Sequence, residues 1–273
     1  MMHLLRSELF RLRKRPQAWI LALIMVLAVG AFYVALAIAA SVISDPASTE
    51  ESLKLPNIFE NGMQIATLLG FILSIVLASG LVGNEYGWNT IRPLLARARS
   101  RSALLSAKWI TVLLYSVGLY LLGLLATIAF SAGSSAIIGE FESVDATLLS
   151  EWAVAFGRVL ISQLPYAALA FMMALITRSN AVGIAVGIGL GFLEPAIFGL
   201  LGLVTNAFDE VRKFGLEYPS NQLVAMNANT GFGGYGEITT AEAWQAVATL
   251  AVWVAIMVGA TYYFFNKRDV TSG

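Results

Sequence analysis

Long runs without a charged side chain constrain this chain more than any other feature of it. From Ala18 to Ile43 there are 26 consecutive uncharged, mostly apolar residues. Similar runs lie between Glu60 and Glu85, from Trp109 up to Glu140, between Arg158 and Arg178, onward from Ser179, and between Glu242 and Lys267. A helix crosses the hydrocarbon core of a bilayer with about 20 apolar residues. In that medium each backbone N–H and C=O must be satisfied inside the segment or a closed barrel, and runs of this length read as helices. The fold class is therefore all-α integral membrane. Six transmembrane helices are predicted at about 18–43, 61–83, 109–138, 159–177, 180–208 and 243–266, and 1–273 reads as a single transmembrane domain.

Composition agrees and closes off several chemistries. Only 12% of residues are charged, against about 25% in soluble domains. The chain has no cysteine, which removes disulfides, redox pairs and thiolate metal sites. His3 is the sole histidine, so neither a zinc site nor a Ser/His/Asp or Cys/His arrangement can be assembled, and no metal site or catalytic residue is expected. Basic and acidic residues balance at 17 each; no nucleic-acid partner is expected.

Their distribution is more informative than their sum. In residues 1–17, Leu4, Leu5, Leu9 and Leu12 recur at helical spacing, with Arg6, Arg11, Arg13, Lys14 and Arg15 on other faces. That pattern suits a helix lying in the interface; a plain positively charged anchor is the alternative. The basic start, the apolar run and Ala37-Ile38-Ala39 imitate a signal peptide. The run is longer than the roughly 7–15 residues of a signal h-region, so a retained first span is expected. With six spans, 13 of the 17 basic residues fall on the side that carries both termini and the segment after span two. By the positive-inside rule that side is cytoplasmic.

That segment, Asn84 to Lys108, is the richest candidate site. It holds Glu85, Gly87, Thr90, the pair Leu94 and Leu95, and a comb of Arg92, Arg97, Arg99, Arg101 and Lys108. A short helix burying Leu94, Leu95, Leu104 and Leu105, with Arg on its other faces, could seat in a partner's groove. Alternatively the charges only fix topology and touch anionic headgroups.

Further along, acidic residues gather at Glu140, Glu142, Asp145 and Glu151, and Arg178-Ser179-Asn180 is the whole turn between spans four and five. Span five is expected to break at Glu194–Pro195, since Pro removes a donor and disfavours helix at the preceding residue. Ala196 to Phe208 would then dip in and return. Glu194 is an acid within an apolar run and so a candidate for the pathway or a gate; it could equally end its helix in a wet outer cavity. Gly183, Gly187 and Gly191 make a smooth face for close helix packing, within the chain or at a dimer centre. Thr239 and Glu242 form a capping box that opens span six. Trp19, Trp88, Trp109, Trp152 and Trp253 sit near span ends, as an interfacial belt requires. No Walker A motif occurs. Gly231 to Gly236 matches G-x-G-x-x-G by letter, but follows no strand and reads as a flexible outer loop.

Glu85, Gly87, Thr90, Arg92, Leu94-Leu95, Ser100-Arg101 and Ala107-Lys108 resemble the loop after the second span in permease subunits of type-2 ABC exporters. Asn89 stands where that family usually has Gly, and Ala98 where it has Pro or Gly. The resemblance extends to the amphipathic lead-in, the minimal turn between spans four and five, and the ending Phe265-x-x-Arg268-Asp269. It implies an N-terminal elbow helix, a cytoplasmic coupling helix after span two, and short re-entrant helices between spans five and six. It further implies a prokaryotic inner-membrane permease with no cofactor of its own, paired with a soluble ATP-binding subunit that carries ATP and Mg, and with a second permease copy or a related permease. An ATP-independent secondary transporter, or a membrane anchor of another complex, is the competing reading.

Overall fold

A computed structural model of the chain describes residues 2–42, 57–97, 100–138, 146–204, 207–227 and 240–267. The acidic stretch Glu140, Glu142 and Asp145, the Gly231–Gly236 motif, Thr239, Ala98, Arg99 and Arg268-Asp269 lie outside these residues, as do the side chains of Arg97 and Glu151. The described residues form helices α1 (Met2–Lys14), α2 (Pro16–Val42), α3 (Asn57–Gly87), α4 (Ile91–Arg97), α5 (Arg101–Ile138), α6 (Ala146–Thr177), α7 (Asn180–Gly202), α8 (Ala207–Arg212), α9 (Glu217–Ala225) and α10 (Thr240–Lys267). Six of them, α2, α3, α5, α6, α7 and α10, are long and apolar enough to cross a membrane.

The helix breaks follow from residue chemistry. Pro16 opens α2, where its missing N–H costs nothing. Ser100 caps α5, its hydroxyl oxygen accepting the Ala103 N–H at 3.1 Å, as a short polar side chain does at an N-cap. The third span's helix thus begins at Arg101 rather than near Trp109, and Leu104 and Leu105 are fully buried in α5 instead of sharing a short helix with Leu94 and Leu95.

α3 and α6 are the centre of the bundle. In their apolar windows 67% and 61% of residues are buried, against 22% in α2, 11% in α7 and 17% in α10, so the last three turn most of their surface outward. α3 packs on α5, α6 and α7, and α6 also carries α10, while α2 leans on α5 and α3. Edge-to-face Phe71 and Tyr166 join α3 to α6 at 5.1 Å between centroids. Trp109 is buried against Phe171 at 4.5 Å, which takes it out of the interfacial belt.

Span five corrects the reading of Pro195. α7 runs unbroken from Asn180 to Gly202 with Pro195 inside it. An interior Pro costs about 3 kcal/mol, but unwinding the helix would orphan several backbone groups at several kcal/mol each in an apolar medium. One lost bond is the smaller loss. Pro165 is likewise held inside α6. Next to it, the carbonyl of Ser162 accepts the Ser220 hydroxyl at 3.0 Å.

One end of the bundle gathers the α1–α2 junction, the end of α3, α4, the start of α5, the α6–α7 turn and the end of α10. Asn84 donates to Gln17 at 3.2 Å, the Arg178 guanidinium lies 5.8 Å from the centre of the Tyr86 ring, and Arg101 donates to the Asn266 carbonyl at 3.4 Å. A Cβ added to Gly83 would lie 2.5 Å from the backbone of Asn180, so Gly at 83 allows α3 to meet the start of α7. The chain's lack of cysteine suits a topological test. Single cysteines at Ser100 and Ser150, near opposite ends of the bundle, are expected to react with a membrane-impermeant maleimide from opposite sides of sealed vesicles.

Candidate functional site

Each residue from Asn84 to Thr90 is placed by this junction. α3 ends in a left-handed turn: the Asn89 N–H donates to the Tyr86 carbonyl at 3.1 Å and the Thr90 N–H to the Glu85 carbonyl at 2.9 Å. That pair of bonds is the Schellman pattern, whose turn residue takes positive φ. Asn89 has φ 54°. Asn reaches this conformation at less cost than most side chains, which reconciles it with the Gly expected at that place. The Thr90 hydroxyl adds a bond of 3.4 Å to the same carbonyl.

The Glu85 side chain points inward to a buried ionic cluster. Its carboxylate lies 2.6 Å from Lys108 Nζ, 3.1 Å from Arg15 and 3.5 Å from Arg11. Glu8 completes the group, 2.8 Å from Arg11 and 3.4 Å from Lys108. Lys108 Nζ also donates to the Leu81 carbonyl at 3.2 Å. Glu8, Glu85 and Lys108 are each at most 1% exposed, whereas Arg11 and Arg15 are partly open. Three cations and two carboxylates from α1, the α1–α2 junction, the end of α3 and the start of α5 thus hold one another. The Arg15 guanidinium also sits 5.7 Å from the centre of the exposed Trp88 ring.

After the turn at Asn89 the chain forms α4, an amphipathic helix of about two turns. Ile91 is buried and Leu94 and Leu95 pack partly on the core, while Arg92, Pro93 and Ala96 are exposed. Gly87 is exposed and a Cβ there would meet nothing within 4 Å. Of the segment's candidates, Glu85 and Lys108 therefore lie together in the interior. Gly87, Arg92 and the outer face of α4 lie on the surface, and Arg101 ties α5 to α10.

The remaining candidates lie elsewhere. Gly183, Gly187 and Gly191 face α3 and α6: a Cβ on Gly183 would lie 2.6 Å from Ser79 and from the Ala170 carbonyl, one on Gly187 would lie 2.9 Å from Ile75 and Ala170, and one on Gly191 would strike Phe71. Partners inside the chain therefore occupy that face. Glu194 is buried in α7 and its Oε1 accepts the Leu216 N–H at 2.7 Å. It caps α9 from a neighbouring helix, since Leu216, at the N-cap position, offers no side-chain bond. Glu194 Oε2 is buried without a hydrogen-bond donor. Beside it, Arg212 and Glu217 form a two-bond pair at 2.7 and 2.8 Å. Arg158 clamps the far end of α9 through Met226 and Asn227, both at 3.0 Å.

Glu8 and the cap of α9 were missed in the sequence. Glu8 carried a faint signal: it is an acid four residues from Leu4 and Leu12, on the apolar face of a basic helix.

Six long apolar helices with a charged junction at one end define a multi-pass helical membrane protein. A family model described as "ABC-2 family transporter protein" matches residues 4–194, and the chain belongs to that family. The match contains the whole ionic junction and ends at Glu194, before α8, α9 and α10. The chain is also similar to "Uncharacterized protein YhcI" of Bacillus subtilis (strain 168), 30% identical over 221 residues. That alignment takes in 76% of this chain and 66% of the relative, just under two thirds of its length.

Two expectations follow. Lys108→Met leaves two buried carboxylates short of a cation, and breaking such a group costs about 3–5 kcal/mol. A large fall in the thermal midpoint of the detergent-purified chain is expected. Glu194→Ala removes the cap of α9 for about 0.5–2 kcal/mol, whereas Glu194→Gln keeps an acceptor. Amide exchange over 216–220 is expected to speed up in the alanine variant and to change less in the glutamine variant.

Proposed function

We propose that this chain is the membrane permease subunit of an ATP-driven exporter, coupled through the segment 84–108 to a separate ATP-binding subunit. The observation that carries the proposal is the mounting of α4. Its exposed face (Arg92, Pro93, Ala96), with Gly87 and Trp88 beside it, has the shape of a helix that seats in a groove. Its other face (Ile91, Leu94, Leu95) packs on the apolar core, and the turn at Asn89 joins its start to the end of α3, where Glu85 belongs to an ionic cluster that grips α1, α3 and α5 at once. A push on α4 would reach two spans and the lead-in helix together, and rigid-body shifts of packed helices are a standard form of such a response.

In this reading ATP and Mg bind the partner subunit, and this chain performs no chemistry. A second copy or a related permease completes the pathway. The junction end faces the cytoplasm of a prokaryotic cell, with both termini there, because the basic residues collect at that end. Glu194 holds α9 in place, with α8 and α9 as the expected re-entrant pair, so a change at the outer end that pulls α7 from α9 must first break this cap.

The test uses Arg92→Glu with Ala96→Glu, two exposed positions whose exchange leaves the interior intact. The wild-type chain, purified in mild detergent from its native membrane, is expected to retain a soluble ATPase, and the double variant to lose it at an unchanged thermal midpoint. An ATPase retained equally by both, or none retained by the wild type under several gentle conditions, would contradict the proposal.

A further inference from the structure

A trough of about 290 Å³ opens on the outside of the bundle beneath the lead-in helix. Leu9 and Leu12 of α1 and Ala22 of α2 form two of its walls, and a stripe of α5 from Leu114 through Tyr115 and Gly118 to Leu122 forms the third. From Leu114 to Leu122 the trough follows α5 for about 12 Å. Its lining is apolar, with one polar tip turned away: the Tyr115 hydroxyl donates to the Ala18 carbonyl at 2.8 Å.

The surroundings fix what can enter. Ile20, Leu23 and Leu27 of α2 and Leu113, Val117 and Leu121 of α5 are exposed beside it, so the trough opens onto hydrocarbon. Trp19 marks its headgroup end: the ring is 63% exposed while its indole N–H donates to the Arg13 carbonyl at 2.8 Å. Trp with one wet and one apolar side is at home at that depth. Helical spacing sets Arg6 and Arg13 one turn to either side of Leu9, and both are exposed. The ionic cluster under the same helix has three cations to two carboxylates, which adds positive potential. Gly118 leaves the floor open, for a Cβ there would meet nothing within 4 Å.

We propose that this trough is a site for one anionic phospholipid of the junction-side leaflet, with an acyl chain lying along Leu9, Tyr115 and Gly118 and the phosphate between Arg6 and Arg13. The lipid would wedge the lead-in helix against α5, beside the ionic cluster.

The full-length chain in mild detergent is incubated with dioleoylphosphatidylglycerol, dioleoylphosphatidylcholine or glycerol 3-phosphate and examined by native mass spectrometry. A single phosphatidylglycerol per chain is expected to be retained, with phosphatidylcholine weaker and glycerol 3-phosphate not retained. Arg6→Gln with Arg13→Gln is expected to weaken phosphatidylglycerol by on the order of tenfold and to abolish the preference between lipids. Gly118→Leu, which fills the trough, is expected to lose both lipids. Undiminished retention of phosphatidylglycerol in Gly118→Leu, an unchanged preference in the arginine variant, or retention of glycerol 3-phosphate alone would overturn the proposal. If Gly118→Leu fails to fold, the arginine variant decides, since both its positions are exposed.

Discussion

Glu8, Glu85 and Lys108 are withdrawn from solvent almost completely, and none of them could remain charged there without the others. Taking one charge from water costs several kcal/mol even after relaxation. Here 2.6 and 3.4 Å contacts, with the two arginines behind them, offset that cost. Such a cluster adds little net stability compared with an apolar core of the same volume, but it specifies a single arrangement. A slip of α1 by one residue would turn Glu8 about 100° away from Lys108 and carry Arg11 away from Glu85. The lead-in helix, the end of α3 and the start of α5 therefore have one mutual position, and the turn at Asn89 and helix α4 inherit it.

The two ends of the bundle are held by different physics. At the junction end, formal charges fix the helices and α4 is presented outward. At the other end, neutral and charge-assisted hydrogen bonds fold α9 against α6 and α7: Glu194 to the Leu216 N–H, Ser220 to the Ser162 carbonyl, and Arg158 to Met226 and Asn227. The caps at that end use separate partners, whereas the charges of the ionic cluster share theirs, Glu85 with three cations and Lys108 with two carboxylates. In the proposed function the rigid end receives the push and the more divisible end answers it.

Much of this was legible in the sequence, for physical reasons that also explain the rest. The spans were visible as charge-free runs as long as hydrocarbon is thick; the local signals at Pro16 and Ser100 that fix helix starts were passed over, so span three was placed near Trp109 although its helix begins at Arg101. The importance of Asn84 to Lys108 was visible as a dense set of charges between apolar runs. What those charges touch was not, because Glu8 and Lys108 are 100 residues apart and only tertiary packing brings them together. Glu85 and Lys108 thus read as surface contacts but lie in the interior. Pro195 misled for the opposite reason: a local rule calibrated in water was overridden where water is absent. The Gly183, Gly187 and Gly191 face was readable as a packing face; that α3 and α6 fill it was not.

A double-mutant cycle on Glu8→Gln and Lys108→Gln, read as unfolding free energy of the detergent-purified chain, tests the central claim most directly. The account predicts a coupling of about 1 kcal/mol or more, within the range seen for residues in one charged network. Additive effects, within about 0.3–0.5 kcal/mol as found for independent sites, would show that the lead-in helix is not bound to the start of α5 through this cluster.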